Sequence, residues 1–334
     1  MKMVNEIKLD LNEIPYPPSR KVIDAAQKGL SQLNRYADPK ELEVLQKLLA
    51  DYSGVPKKHI VLGAGSGLLL REIVKSFSRG RKVIMANPSF FRTLQCARRF
   101  ATKLIEIQLR PPEFDLNFAF VVKELSDPSL LVFGNPNNPT GKILMSKEVV
   151  EDVIKNENAL LVVDEAYYEF SGITFAGMVK KHPNLAVVRT MSKAFGLAGA
   201  RVGYLIAGDD FLDVFPAFYS FLPQPCLYAA VEAVRDLDHM KKNVSLTVNE
   251  RERVSKRLKQ MGIEVYHSNT NFLLVKTDIS NLARELKDRG VLVLDLSSKW
   301  LPGFIRVSVG TPKENDVFLL TIGEILKVRN RNKE

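Results

Sequence analysis

Three motifs in the sequence contain residues that can bind a phosphate, hold a charge and form a covalent bond. They are the glycine-rich run Gly63-Ala64-Gly65-Ser66-Gly67, the acidic motif Asp164-Glu165-Ala166-Tyr167 and the lysine motif Thr190-Met191-Ser192-Lys193. The free N–H groups of a glycine-rich turn before a helix bind phosphate. A lysine in a loop of small residues is expected to be shielded from water, which lowers its pKa and frees its amine for Schiff-base chemistry.

Each motif has a second interpretation when it is taken alone. The glycine-rich run would need a glycine at position 68 to match a dinucleotide fingerprint, and Leu68 stands there. The next predicted strand ends in Ala86 and Asn87 and lacks the acid that would bind a ribose. A nicotinamide site is therefore disfavoured, and a phosphate cradle or a simple tight turn remains. Asp164 alone could cap a helix.

The elements that must position these motifs are short apolar strands that alternate with helical stretches. The predicted strands are 60–62, 82–86, 104–108, 130–133, 160–163, 186–189 and 203–207. Their apolar runs are continuous, which is typical of a parallel sheet buried on both faces. The carboxyl ends of such strands border the crevice where ligands bind, and every motif follows one of these ends.

After about Pro225 the pattern changes to that of a smaller α+β unit. We predict a long helix over 243–261, strands at 264–266, 272–276, 291–294 and 304–309, and a helix over 281–289. Thr311, Pro312 and Glu314 form the start signal of a last helix. The predicted organisation is an N-terminal segment (1–30) packed with the small domain, a large domain (31–235) and a small C-terminal domain (236–334).

Composition restricts the class of protein. The chain has 334 residues, of which 46% are hydrophobic and 26% charged, and this composition is ordinary for a globular protein. Its net charge of +10 indicates either an anionic partner or a lysine-rich surface. The basic residues are spread along the chain without a nucleic-acid-binding motif, and the apolar runs are too short to cross a membrane. Cys96 and Cys226 match no metal or redox spacing, and the N-terminus lacks the apolar core of a signal peptide. We therefore expect a cytoplasmic protein that binds neither nucleic acid nor membrane.

Taken together, the motifs resemble those of the pyridoxal-phosphate-dependent aminotransferases of the aspartate-aminotransferase fold (fold type I). The resemblance extends from about Leu11 to Val328. It rests on Leu11-Asn12-Glu13, Arg35-Tyr36, Asn135-Pro136-Asn137-Asn138-Pro139-Thr140-Gly141, Asp164-Glu165-Ala166-Tyr167, Ser192-Lys193 with Arg201, and Ile305-Arg306-Val307-Ser308-Val309-Gly310. Within that group the chain is most similar to the histidinol-phosphate aminotransferases. The implied fold is a seven-stranded, mostly parallel sheet flanked by helices, with a smaller α+β domain.

The resemblance implies a role for each matching residue. Lys193 would form the Schiff base with pyridoxal phosphate, Asp164 would face its ring nitrogen, and Phe90 would stack on the ring. Tyr167 and Asn138 would contact the phenolic oxygen of the ring. The residues that would bind the cofactor phosphate are Gly65, Ser66, Gly67, Thr190, Ser192 and Arg201.

The resemblance also implies a substrate and a partner. Arg306 and Asn138 would bind the substrate, and Tyr36 would reach the cofactor phosphate of a neighbouring subunit, so that a homodimer with shared sites is implied. The implied reaction belongs to histidine biosynthesis. It converts histidinol phosphate and 2-oxoglutarate into imidazole acetol phosphate and glutamate.

Several positions depart from the pattern of these aminotransferases. Gly67-Leu68 stands where an acidic pair is usual, Leu294 replaces an arginine that helps to bind the substrate phosphate, and the N-terminal segment is short. Arg92 or Lys299 could supply the missing charge. The alternative functions are therefore an aromatic amino-acid aminotransferase or an enzyme similar to threonine-phosphate decarboxylase.

Overall fold

Two β-sheets and the helices packed on them form the structure, a computed structural model that describes residues 6–212, 222–297 and 301–331. The strands are β1 (Ile7–Leu9), β2 (Ile60–Gly63), β3 (Lys82–Asn87), β4 (Lys103–Gln108), β5 (Ser129–Gly134), β6 (Ala159–Asp164), β7 (Leu185–Thr190), β8 (Gly203–Ala207), β9 (Glu264–Val265), β10 (Phe272–Lys276), β11 (Val291–Asp295) and β12 (Phe304–Ser308). The helices are α1 (Arg20–Leu30), α2 (Pro39–Ser53), α3 (Ser66–Phe77), α4 (Phe91–Phe100), α5 (Phe118–Lys123), α6 (Lys147–Ile154), α7 (Tyr168–Ser171), α8 (Asp209–Leu212), α9 (Gln224–Arg235), α10 (Leu237–Gln260), α11 (Leu282–Lys287) and α12 (Pro312–Arg331).

The larger sheet has seven strands in the order β2-β8-β7-β6-β5-β3-β4. Its strand pairs are parallel except those of β8, which runs antiparallel to both β2 and β7. The predicted seven-stranded, mostly parallel sheet is therefore confirmed. No predicted strand end differs from the observed one by more than one residue.

Side chains of this sheet alternate between two hydrophobic cores. Along β5, Leu131 and Phe133 lie in the core that contains α2 and α9, whereas Leu130 and Val132 lie in the core that contains α3 and α4. All four side chains are buried, and each contributes about 1.5–3 kcal/mol through burial of apolar surface. Burial on both faces is the reason that the strands appear in the sequence as continuous apolar runs.

The smaller sheet has five strands in the order β1-β11-β12-β10-β9 and packs its apolar face against α10, α11 and α12. Strand β1 pairs in parallel with β11, so the start of the chain belongs to this sheet. The helix that follows, α1, packs instead against α9. The predicted domain limits at 30/31 and 235/236 stay a prediction.

Two helices of the smaller unit show how local signals set helix ends. Thr311 and Glu314 form the predicted capping box, because the Thr311 hydroxyl accepts from the Glu314 amide and the Glu314 carboxylate accepts from the Thr311 amide (3.3 and 2.7 Å). The predicted start of the long helix at residue 243 is wrong: α10 begins at Leu237. Met240 is buried, and this apolar contact extends the helix through the polar residues before 243.

No helix of the described residues is long and apolar enough to span a lipid bilayer.

Candidate active site

A cavity of about 630 Å³ lies beyond the carboxyl ends of the strands of the larger sheet. Asp164 is the last residue of β6 and Thr190 the last residue of β7, so the sheet delivers both side chains to the same crevice. The predicted site residues that line the cavity are Ser66, Gly67, Phe90, Asn138, Asp164, Tyr167, Thr190, Ser192, Lys193, Arg201 and Arg306. Of the remaining predicted residues, Gly65 lies in the chain between the lining residues Ala64 and Ser66, and Tyr36 lies on the protein surface.

One end of the cavity is suited to bind a phosphate. Helix α3 begins there at Ser66, its N-cap Gly65 has a φ of 90°, and no side chain caps its free N–H groups. A Cβ at Gly65 would lie 2.6 Å from Nη2 of Arg201, so only glycine lets this guanidinium approach the turn. The helix N-terminus and the guanidinium together favour an anion at this position.

The loop that carries Lys193 also holds Arg201 in place. Nη1 of Arg201 donates to the Ser192 hydroxyl (3.2 Å) and to the Ala198 carbonyl (3.2 Å). The Thr190 hydroxyl accepts from the Ser192 amide (3.1 Å) and fixes the turn after β7. Among the described residues, no carboxylate forms an ion pair with Arg201, so its charge is available to a ligand.

Lys193 presents a primary amine to the cavity. Its Nζ donates to the backbone carbonyl of Leu11 (2.9 Å) and lies 6.0 Å from the centre of the Tyr167 ring. Burial, together with the nearby Arg306 charge, lowers the pKa of the Lys193 amine to about 7. A large fraction of the amine is therefore neutral near neutral pH, as nucleophilic attack on a carbonyl requires.

Asp164 contributes a carboxylate that the protein does not neutralise. One of its oxygens accepts from the Ala166 amide (3.1 Å). Burial raises the pKa of the Asp164 carboxyl to about 7, and among the described residues no lysine or arginine forms an ion pair with it. Ionising a buried carboxyl costs free energy. A ligand with a basic ring nitrogen would offset that cost by supplying a charged N–H donor to the Asp164 carboxylate.

Arg306, Asn138 and Tyr167 form a connected group on the other side of the cavity. Nη1 of Arg306 donates to the Asn138 side-chain oxygen (2.7 Å), and the Asn138 amide donates to the Tyr167 hydroxyl (3.2 Å). Nη2 of Arg306 donates to the Asp10 carbonyl (2.6 Å), while the buried Nε has no hydrogen-bond partner among the described residues. Arg306 is 7% exposed and forms no ion pair with a described carboxylate. An anionic group of a substrate would form an ion pair with the Arg306 guanidinium.

These features fit pyridoxal phosphate group by group. The turn at Gly65 with Arg201 suits a phosphate, Asp164 suits a pyridine nitrogen, and the Tyr167 hydroxyl suits a phenolic oxygen. The amine of Lys193 suits an aldehyde, and the aromatic side chain of Phe90 provides a flat apolar surface in the same cavity.

The structure also clarifies the positions that depart from the pattern. Arg92 lines the cavity, and so does Arg71, which the sequence did not indicate. Lys299 lies outside the described residues. Leu294 on β11 is the strand partner of Arg306 on β12, and it packs against the core that contains α2 and α9. This neighbour of Arg306 therefore supplies no charge.

The sequence analysis missed the role of the N-terminal residues at this cavity. Leu11 and Asn12 both line it, and Asn12 is 1% exposed. Their motif contributed to the resemblance, but nothing in the local pattern indicated a contact with Lys193 or Tyr167. The signal that could have found them is the polar Asn12 three residues after β1, a short strand that the sequence pattern did not predict.

Known proteins share both the sequence and the fold of this chain. A model of the family aminotransferase class I and II matches residues 4–322. The histidinol-phosphate aminotransferase of Sulfurisphaera tokodaii is 35% identical over 97% of this chain and 91% of its own length. The structure of histidinol-phosphate aminotransferase from Sinorhizobium meliloti in complex with pyridoxal-5'-phosphate is similar with a TM-score of 0.83 and 25% identity, covering 96% of this chain and 91% of the other. A variant of Thermus thermophilus aspartate aminotransferase has the same fold, with a TM-score of 0.81, 21% identity and 95% of each chain covered.

The unpaired carboxylate predicts a pH-dependent cost to stability. In the folded chain, without bound ligands, Asp164 keeps its proton up to about pH 7, whereas its ordinary pKa is 3.8. Between these values the folded state binds more protons than the unfolded state, so the stability contributed by this group falls as pH rises. Asp164→Asn should therefore become more stable than the wild type across this range, by about 1–3 kcal/mol above pH 7.

Urea unfolding of both proteins between pH 5 and 8, after removal of bound small molecules, measures this difference. It should increase from pH 5 to 7 and stay level above. A difference that does not change with pH would contradict the assignment.

Proposed function

Because the chain belongs to the aminotransferase class I and II family, we propose that it is a pyridoxal-phosphate-dependent transaminase of histidinol phosphate. The amino group would pass to 2-oxoglutarate, giving imidazole acetol phosphate and glutamate in histidine biosynthesis. The observation that carries this proposal is the conjunction of Lys193, with a pKa of about 7, and the unpaired Asp164 in one cavity. The relatives named histidinol-phosphate aminotransferase support the choice of substrate.

The cofactor would be held by the residues that complement its groups. When bound, pyridoxal phosphate supplies an electron-withdrawing ring that stabilises negative charge on the substrate carbon beside the amino group. Asp164 would hold a proton on the ring nitrogen, because a carboxylate in a buried site strongly favours a charged N–H partner. Arg201, Ser192, Thr190 and the turn Gly65-Ser66-Gly67 would bind the phosphate. Phe90 would cover one face of the ring and exclude water from it.

Lys193 would serve in two steps. Its neutral amine would attach the cofactor covalently, and after release the same Nζ would move a proton to and from the substrate carbon. A general base is most effective when its pKa lies near the working pH, and burial gives the Lys193 amine a pKa of about 7. Tyr167 and Asn138 would orient the cofactor through its phenolic oxygen.

The substrate would bind at the cationic side of the cavity. Arg306 would take an anionic group of the substrate, because its Nε is buried without a partner. Arg71 and Arg92 line the same cavity and add positive charge, which favours a phosphorylated amine. Leu294 beside Arg306 is the observation that favours the second candidate, an aromatic amino-acid aminotransferase, since an apolar neighbour suits an unphosphorylated side chain.

The protein would work as a homodimer in the cytoplasm. Tyr36 is 93% exposed, and it lies on the connection between α1 and α2 beside the exposed apolar residues Leu30 and Leu33. A second copy of the chain would cover this surface and receive Tyr36 at its cofactor phosphate.

Cys96 and Cys226 are both free thiols, as expected in a reducing compartment.

Covalent attachment at Lys193 predicts the loss of one spectroscopic signal. The wild type incubated with pyridoxal phosphate should show the visible absorption band of the lysine-bound cofactor, and Lys193→Ala should lack it. The surface variant Lys155→Ala serves as the control and should keep the band, since Lys155 is exposed and forms an ion pair with Asp152 on the same helix face, away from the cavity lining. A Lys193→Ala protein that retains the band would overturn the assignment.

The shared site predicts that two inactive chains can complement each other. Tyr36→Ala removes a residue donated to the neighbour, and Lys193→Ala removes the nucleophile of its own cavity. Random mixing by unfolding and refolding together should restore about a quarter of wild-type activity, since about half of the dimers are hybrids with one complete site. Sedimentation should show a dimer. Failure of the mixture to regain activity, or an active monomer, would contradict the proposed dimer.

A further inference from the structure

Three consecutive residues between β1 and α1, which we call the N-terminal strap (Asp10, Leu11 and Asn12), each contact a different site residue. The Asp10 carbonyl accepts from Arg306 (2.6 Å), the Leu11 carbonyl accepts from Lys193 (2.9 Å), and the Asn12 amide donates to the Tyr167 hydroxyl (2.9 Å). Asn12 has a φ of 55°, in the left-handed region that asparagine tolerates better than most residues. This turn lets neighbouring residues face the same cavity.

The orientation of the Asn12 amide is fixed by Ser308. The Ser308 hydroxyl oxygen accepts from the Asn12 backbone N–H (2.8 Å), and its proton is donated to the Asn12 side-chain oxygen (3.1 Å). The oxygen of the Asn12 amide therefore faces Ser308 and its nitrogen faces Tyr167. Asn271 also anchors the strap by donating to the Asn12 backbone carbonyl (2.9 Å).

The orientation of the Asn138 amide is fixed independently by Arg306. A guanidinium has only donors, so the Asn138 atom that it contacts at 2.7 Å must be the oxygen. The Asn138 nitrogen consequently faces the Tyr167 hydroxyl at 3.2 Å.

The Tyr167 hydroxyl oxygen thus accepts from two N–H donors, one on the strap and one on the loop after β5. A phenolic oxygen has two acceptor lone pairs and one proton, so both acceptor positions are filled. The proton must then point away from Asn12 and Asn138, and Tyr167 lines the cavity. Burial raises the pKa of Tyr167, which keeps this proton on the hydroxyl at neutral pH.

We propose that Asn12 is a positioning residue: it fills one acceptor position of Tyr167 and thereby aims the Tyr167 proton at the phenolic oxygen of the bound cofactor. Asn12 does not need to touch the cofactor to do so. This inference rests on the proposed function, because it requires pyridoxal phosphate in the cavity.

The proposal has a spectroscopic consequence. Negative charge on the phenolic oxygen stabilises a proton on the nearby nitrogen that joins the cofactor to Lys193, and a hydrogen bond from Tyr167 reduces that charge. If Tyr167 turns its proton elsewhere, the pKa of that nitrogen rises. The visible absorption band of the bound cofactor reports this titration directly and requires no substrate.

The test compares Asn12→Asp with the wild type. An aspartate has the same shape, but the nearby Arg306 and Lys193 favour its ionised form, which can only accept a hydrogen bond, so Tyr167 would donate to it. The midpoint of the spectral titration should rise by about one pH unit or more, the size expected from the loss of a hydrogen bond to a charged oxygen.

Two further variants separate this effect from the added charge and from a disturbed strap. In a Tyr167→Phe background, Asn12→Asp should add little to the rise, since no hydroxyl proton remains to be redirected. Asn12→Gly keeps the left-handed backbone and removes the amide, and it should give a smaller rise in the Tyr167 protein. Asn281→Asp is the matched control, because Asn281 also has a positive φ (61°) and lies outside the cavity lining.

The outcomes distinguish the inference from the proposed function. Equal midpoints for Asn12→Asp, Asn12→Gly and the wild type, or an undiminished rise in the Tyr167→Phe background, would overturn the role of Asn12 alone. If Asn12→Asp fails to fold or to bind the cofactor, Asn12→Gly decides the question. A wild-type protein without the Lys193-dependent band would overturn the proposed function, and the inference with it.

Discussion

The site depends on ionisable groups that the chain buries without an ion-pair partner in the part that the structure describes. Arg306 is buried without an ion-pair partner among the described residues, and burial shifts the pKa of Lys193 and of Asp164 to about 7. Buried charge of this kind costs folding free energy, and the chain tolerates it only because a rigid frame holds the groups in place. The carboxyl ends of the parallel strands provide that frame.

The contrast between two neighbouring acids shows how the frame works. Asp164 and Glu165 lie side by side in the chain, at the end of β6 and just after it, and their carboxylates have different environments. Glu165 forms an ion pair with buried Arg189 (2.9 Å) and accepts a hydrogen bond from the Phe175 amide (2.6 Å). Both of its carboxylate oxygens therefore have partners within the protein. Asp164 lines the cavity and forms no such pair with any residue that the structure describes. The compensated acid anchors the segment on which the uncompensated one is presented.

Sequence patterns predict the larger sheet well because its strands are buried on both faces. Continuous apolar runs mark such strands, and the polar motifs after them identify the crevice before any contact is known. Lys193 and Asp164 could be recognised in this way, since Asp164 ends β6 and Lys193 lies in the loop that follows β7. The start of α10 was missed because its first turns are mostly polar, and the apolar contacts of Leu237 and Met240 come from tertiary packing.

The strap could not be predicted because its hydrogen bonds connect distant parts of the chain. Asn12 contacts Tyr167, which is 155 positions away, and Ser308, which is 296 positions away. A local pattern carries no information on such pairs. Arg71 is different, because it lies four residues after Gly67 on α3 and helical spacing places both residues on the cavity side.

The most direct test of the account is a stopped-flow absorbance measurement on the cofactor-loaded protein with single amino donors and no 2-oxo acid. Histidinol phosphate, glutamate, phenylalanine, tyrosine and threonine phosphate would each be mixed with the protein. Histidinol phosphate should remove the visible band of the lysine-bound cofactor faster than phenylalanine, tyrosine or threonine phosphate does, and glutamate should also react. Fast conversion by phenylalanine or tyrosine with slow conversion by histidinol phosphate would contradict it and would mean that Leu294 beside Arg306 selects an apolar substrate.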